Sequence, residues 1–396
     1  MGSLLKAIVR DIYRLLTYSP SSIARERRSL MSAMASWKGE HLFVFPYLGL
    51  GGAERVHLDI LATIDDQDPL VLITGFSKDR INAARFEEAG RMVEIPHLVN
   101  HPFTRKRALR AISGQLNKRS NPVLFGSLSA VFFELLPFMK KGTRAYWLQH
   151  AFLFQPEGNK QHKAWLKHID RVTGYLFVAR QAAAEFAKFL RDQGSGNASA
   201  DKLIHMPNAV ARFGEVRTHS HISVLFVGRD SEEKRLGLFL HLAETINAGA
   251  PDRFRFTVVG PAARPDRPGL TFLGPISAPE QLDRIYAQHD LLCVTSSREG
   301  FPMVIMEAMA QGLSVLSTPV GDVPLVLDQT NAFVTSSVDE AVVVQEMETF
   351  LLRMNDAPEI LLQMRTAALD LARTAFAQGP FRDRYRGLLL GTDRSM

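Results

Sequence analysis

Glu299 and Glu307 stand in the stretch "SSREGFPMVIMEAMAQG", residues 296–312, with seven residues between them. The first lies in a turn that contains glycine and proline, the second inside an apolar run. Pro302 suits the first turn of a helix and Gly312 its end, so 302–311 reads as one helix. The amides at its start attract an anion. Glu299, just before that start, cannot itself hold the anion, but a carboxylate beside a phosphate accepts hydrogen bonds from sugar hydroxyls. Glu307 lies more than a turn into the helix, between Met306 and Ala308, where a charge without partners costs several kcal/mol. It needs donors. A ribose diol would supply two, and a structural salt bridge to an arginine or lysine would supply them equally well.

Two further stretches could address the same kind of ligand. In "FVGRDSEEKRLGLFL" a strand ends on glycine, and Arg229 and Lys234 follow where the loop turns into a helix. A guanidinium forks onto phosphate oxygens and an ammonium adds a point charge, a pairing suited to a diphosphate. The alternative is a solvated face on which they pair with Glu232 or Glu233. In "PYLGLGGAERVHLDIL", Gly51 and Gly52 follow a strand and open a helix, so backbone amides can approach an anion there, or the glycines can serve tight helix packing. No third glycine follows at the offset of a dinucleotide fingerprint. The Asp66 to Asp68 pair in "TIDDQDPLVL" sits in a polar turn before a strand, a surface connector rather than a metal site, so no metal is expected.

The elements that must position these residues alternate between strand and helix, twice. Apolar runs at 42–47, 69–74, 122–127, 145–149 and 173–179 are separated by amphipathic stretches, and the pattern begins again at 222–228, 254–260, 270–274, 290–296 and 313–318. Continuous apolar strands joined by helix-length segments form parallel sheets covered on both faces. The fold class is therefore α/β, with two doubly wound, Rossmann-like domains facing across a cleft at the carboxyl ends of their strands. The expected division is an N-terminal extension over 1–40, a first domain over 41–212, a second over 213–378 and a C-terminal helix over 379–396.

Composition narrows the partners. A chain of 396 residues with 46% hydrophobic content can build two cores. The net charge of +6 suggests anionic partners, and no aromatic-rich basic stripe or known module supports nucleic acid. Cys293 is the single cysteine, which excludes an internal disulfide framework and a cysteine-based zinc cluster and fits the cytosol. No apolar run approaches the roughly 20 residues that span a bilayer. In "SLLKAIVRDIYRLLTY", residues 3–18, Leu4, Leu5, Ile8, Ile12, Leu15 and Leu16 recur at helical spacing beside Lys6, Arg10, Asp11 and Arg14, an amphipathic and net basic helix. Such a helix can lie on an anionic membrane, with Arg25, Arg27 and Arg28 adding to the attraction, or pack on its own domain or on another subunit.

Together "FVGRDSEEKR", "SSREGFPMVIMEAMAQGLSVLSTPVGD", "HMPNAV" and "GGAERV" resemble the retaining glycosyltransferases of family 4, which have the GT-B fold. The resemblance runs over most of residues 42–330 and is strongest in the C-terminal half. It implies transfer of a sugar from a nucleotide-sugar donor to a glycan or lipid-linked glycan acceptor, with no cofactor and no metal. Arg229 and Lys234 would bind the donor diphosphate with the turn Gly300, Phe301, Pro302 and Met303, Glu307 the ribose, and Glu299 the hydroxyls of the transferred sugar. His150 occupies a position resembling the family's histidine near the reacting carbon. Three departures stand out: Arg235 and Ala209 replace glycines, and "VGDVPLVL" replaces a segment that usually carries two glycines and a glutamate. The same fold also serves enzymes that act on the nucleotide-sugar itself, as epimerases or hydrolases, and inactive binding subunits.

Overall fold

A computed structural model describes residues 19–49, 51–150, 167–194, 200–276 and 278–392. The amphipathic stretch 3–18 lies outside them. The chain divides into two compact units. The first holds the described residues up to Phe177, then Ala183–Met206 and the chain from Arg382; the second holds Val178–Ala182 and Pro207–Phe381.

The first unit is built on seven strands: β1 (His41–Phe45), β2 (Leu70–Ile73), β3 (Arg91–Glu94), β4 (Val123–Ser127), β5 (Arg144–Gln149), β6 (Gly174–Phe177) and β7 (Leu203–His205), in the order β3-β2-β1-β4-β5-β6-β7. The second has six: β8 (Ile222–Val227), β9 (Phe254–Val259), β10 (Leu270–Gly274), β11 (Leu291–Val294), β12 (Ser314–Ser317) and β13 (Ala332–Val334), ordered β10-β9-β8-β11-β12-β13. Each strand pairs with its neighbours in parallel. Strand order reverses between β1 and β4 in one sheet and between β8 and β11 in the other. Those are the switch points outside which such sheets bind ligands.

The second unit shows why its strands read as unbroken apolar runs. Ile222, Val224 and Phe226 enter one core with Leu291 and Cys293, while the alternate Leu225 enters the other with Leu292 and Val294. A period of two thus feeds both faces. Three strands escaped the sequence reading, β3, β7 and β13, and each is a short edge strand: "RMVE", "LIH" and "AFV".

Two helices complete the first unit. Pro20–Ser36 starts on proline and buries Leu30 and Met34, with Trp37 just after, while Arg25, Arg27 and Arg28 stay exposed. Its Glu26 turns inward and accepts from the backbone N–H of His97 (3.2 Å) and Leu98 (2.8 Å), capping the short helix Pro96–Asn100. The last helix, Gln378–Leu390, buries Tyr385 and Leu389 completely. Its Arg386 forks onto Asp66 at 2.7 and 2.8 Å, and its Leu389 carbonyl accepts from His41 Nε2 at 3.1 Å. Asp68, the other half of the Asp-x-Asp turn, accepts instead from Arg91 (3.1 Å) and the Lys38 amide (2.9 Å).

Candidate active site

The β8–β11 switch point gathers the charged residues of the second unit. Past β8 the chain runs through Gly228 and close under Gly260, whose φ of +115° suits glycine and whose Cβ, if present, would collide with the Gly228 carbonyl. The loop 229–235 is stitched to the loop after β11. Ser297 donates from its amide to the Glu233 carbonyl (2.8 Å), and Thr295 Oγ1 donates to the Lys234 carbonyl (2.9 Å). This stitching brings Lys234 Nζ to 2.5 Å from Glu299 Oε1, which also accepts from Ser296 Oγ at 2.8 Å. Both charged side chains are about one-fifth exposed, 20% for Lys234 and 17% for Glu299. An ammonium has three protons, so one can serve Glu299 while others face a second anion.

Arg229 behaves differently. Its side chain is 82% exposed and lies 3.6 Å from Glu233, the surface pairing that the sequence left open as its alternative. Arg235 explains one departure from the glycine pattern: it caps the helix Leu236–Gly249 at φ +48°, ψ +50°, a left-handed conformation that glycine adopts without strain. Its guanidinium compensates by donating to the carbonyls of Thr295 (2.7 Å), Val338 (2.6 Å) and Ser296 (3.3 Å).

The helix that carries Glu307 runs Met303–Ala310, one residue shorter at each end than the spacing predicted. Pro302 is its N-cap, with extended backbone, and Gly312 leaves it at φ +83°. The turn before it is fixed from behind. Gly321, at φ +52°, packs so closely on the Gly300 carbonyl that a Cβ would collide, and the Asp322 amide donates to that same carbonyl at 2.8 Å. The buried Asp322 carboxylate accepts from the amides of Arg180 (2.6 Å) and Gln181 (2.8 Å). It is a cap. Phe301 lies against Phe376 with ring centroids 5.6 Å apart, and Met303 is half-buried.

Glu307 is buried and accepts from the phenol of Tyr286 at 3.1 Å, which comes from the helix Pro279–Tyr286. Arg212 feels it too: the guanidinium's pKa is raised chiefly by its bond to Asp283, then by Glu280 and Glu307. Nothing in the linear spacing signals Tyr286 or Ser296.

The remaining candidates belong to the first unit. Gly51 is the N-cap of the helix Gly52–Leu61, with the Glu54 carboxylate folded against it, so a side chain at Gly51 would have to displace that carboxylate. His150 follows β5, and its Nε2 lies 3.2 Å from Nε2 of His57. Burial pushes the His150 pKa down to about 4. The partner His57 is fully buried and was missed by the sequence reading because a lone histidine on an apolar helix face carries no spacing signal.

Comparison with known proteins adds a family match over part of the chain, and a fold. Residues 221–353 match the family described as "Glycosyl transferases group 1". No curated protein matches. Among solved structures, Anabaena HepE in complex with UDP is 15% identical with a TM-score of 0.71, over 89% of this chain and 100% of that one. A glycosyltransferase from Rickettsia africae ESF-5 gives 13% and 0.66 over 89% and 99%, and the lipopolysaccharide outer core galactosyltransferase WaaB gives 15% and 0.64 over 89% and 99%. What this chain shares with those structures is the GT-B fold.

Proposed function

We propose that the protein is a retaining glycosyltransferase that moves a hexosyl group from a nucleoside-diphosphate sugar to an acceptor hydroxyl, in the assembly of a bacterial surface polysaccharide or glycolipid. The observation that carries this reading is the junction of Lys234, Glu299 and the start of the helix Met303–Ala310 at the β8–β11 switch point. Cleaving the bond between anomeric carbon and phosphate leaves an added charge on the diphosphate. Lys234 and the amides from Gly300 onward are preorganised to stabilise it, and the exposed Arg229 would swing in to add its charge, which requires no metal. The acceptor oxygen bonds to the anomeric carbon from the face the phosphate leaves, and a departing phosphate oxygen takes the hydroxyl proton. Glu299 positions the transferred sugar, and Glu307 the ribose.

The complexes of HepE with UDP and with UDP-glucose make uridine donors the first to try. A screen of nucleotide-sugars by thermal shift tests the reading, since a ligand at 1,000 times its Kd stabilises the folded state by about 4 kcal/mol. One donor should raise the melting temperature of the wild type, in EDTA as well as without it, and do so far less for Glu307→Ala. If no nucleotide-sugar does this, the reading fails.

A lipid-linked acceptor would place the enzyme on an anionic membrane. Besides the stretch 3–18, the helix Pro102–Leu116 supports this: Lys106, Arg107 and Arg110 are exposed, it carries no acidic residue, and Phe103 stands 75% exposed at its start.

A further inference from the structure

The contact between His57 and His150 fixes more than a distance. His57 lies flat on Phe45, ring centroids 4.0 Å apart and planes 8° from parallel, which fixes the plane of the ring. Its Nε2 meets His150 Nε2 at 3.2 Å, and its Nδ1 is buried with no hydrogen-bond partner among the described residues. Burial depresses the pKa of both rings, so each is neutral at physiological pH and holds one proton. Two facing nitrogens can share only one proton between them. If His150 supplied it, His57 would carry its own proton on Nδ1, as an N–H sealed from water without an acceptor. If His57 supplies it, Nδ1 keeps only a lone pair, and orphaned buried donors are the rarer of the two defects.

We infer that His57 is a positioning residue which donates Nε2–H to His150 Nε2 and so holds the His150 proton on Nδ1. This rests on the transferase reading for its functional meaning. It turns His150 into a hydrogen-bond donor toward a sugar oxygen, its basic nitrogen already being occupied by His57. A histidine in the wrong tautomer can keep its place and lose most of its catalytic value.

The test uses the full chain with 15N-labelled histidine, in which long-range 15N–1H spectra distinguish the two neutral tautomers, and the His150→Asn spectrum identifies the His150 signals. Wild type should show the Nδ1–H form at His150. In His57→Phe, which keeps the stack on Phe45, His150 should shift to a mixture with Nε2–H, kcat should fall tenfold or more with KM little changed, and His57→Gln, whose amide can donate, should recover part of both. An Nε2–H tautomer at His150 in the wild type, or no change in tautomer in His57→Phe, overturns the inference. Should His57→Phe fail to fold, the wild-type spectrum still decides. The spectrum needs no donor, so a protein that binds no nucleotide-sugar defeats the transferase reading and leaves the tautomer result standing.

Discussion

Lys234 and Arg229 are five residues apart and chemically alike, yet they stand in different environments, and the substitutions should show it. Lys234→Ala should lower turnover on the order of a hundredfold, because under the proposed function it removes a charge that would stand beside the developing diphosphate. Arg229→Ala should lower turnover as well but leave the melting temperature unchanged, since its ion pair with Glu233 is exposed and such pairs contribute about 0–1 kcal/mol. Steady-state kinetics beside a melting curve separates them, and near-wild-type turnover in both would remove the diphosphate assignment. Asp59 gives a pH-dependent case. Burial pushes its pKa up to about 6, against the pull of Arg55 and Arg85, so the native state binds a proton that the unfolded chain releases nearer pH 4. Stability is therefore lost as pH rises through that window, and the penalty is fully present above it. Asp59→Asn should be more stable than wild type by about 1–2 kcal/mol at pH 7, allowing for partial solvation, and no more stable at pH 4. Urea titrations at the two pH values would show it.

The loops that follow β8 and β11 carry the candidate site, and one strained residue joins them. Arg235 holds a left-handed conformation that costs an L side chain about 1–2 kcal/mol, and offsets this with three bonds to carbonyls. Arg235→Ala keeps the strain and loses the bonds; Arg235→Gly loses both. Alanine should therefore be the worse substitution by about 1 kcal/mol in urea unfolding. Equal losses would mean the backbone relaxes. At this scale the sequence was legible where an element is central. Every strand flanked on both sides announced itself as an apolar run, because both of its faces are buried. Of the four edge strands, only β10 did; β3, β7 and β13 are three or four residues long and partly exposed, too short to stand out as runs. The helix of Glu307 was visible from Pro302 and Gly312, whereas Tyr286 and Asp322 were not: the phenol reaches Glu307 from another helix, and the carboxylate caps a segment some 140 residues earlier. Such partners depend on tertiary approach, which local periodicity does not encode.

Across the molecule, charge and exposure make the membrane reading testable. The full chain should sediment with vesicles rich in anionic lipid and release at high salt. Removal of residues 1–18, or the triple change Lys106→Glu, Arg107→Glu and Arg110→Glu, should each weaken this; unchanged sedimentation in both would mean that neither surface meets lipid. Truncation has to stop there, because Glu26, Leu30, Met34 and Trp37 are buried. The return of the chain to the first unit at Arg382 bears on the order in which the molecule is made. The ribosome completes the second unit's residues, 207–381, before it delivers the rest of the last helix, whose Leu389 covers His41 and whose Arg386 clasps Asp66. The half synthesised first is thus the half finished last, and until Leu389 emerges its sheet waits with an unfilled flank, the interval in which a nascent chain of this kind would most need a chaperone.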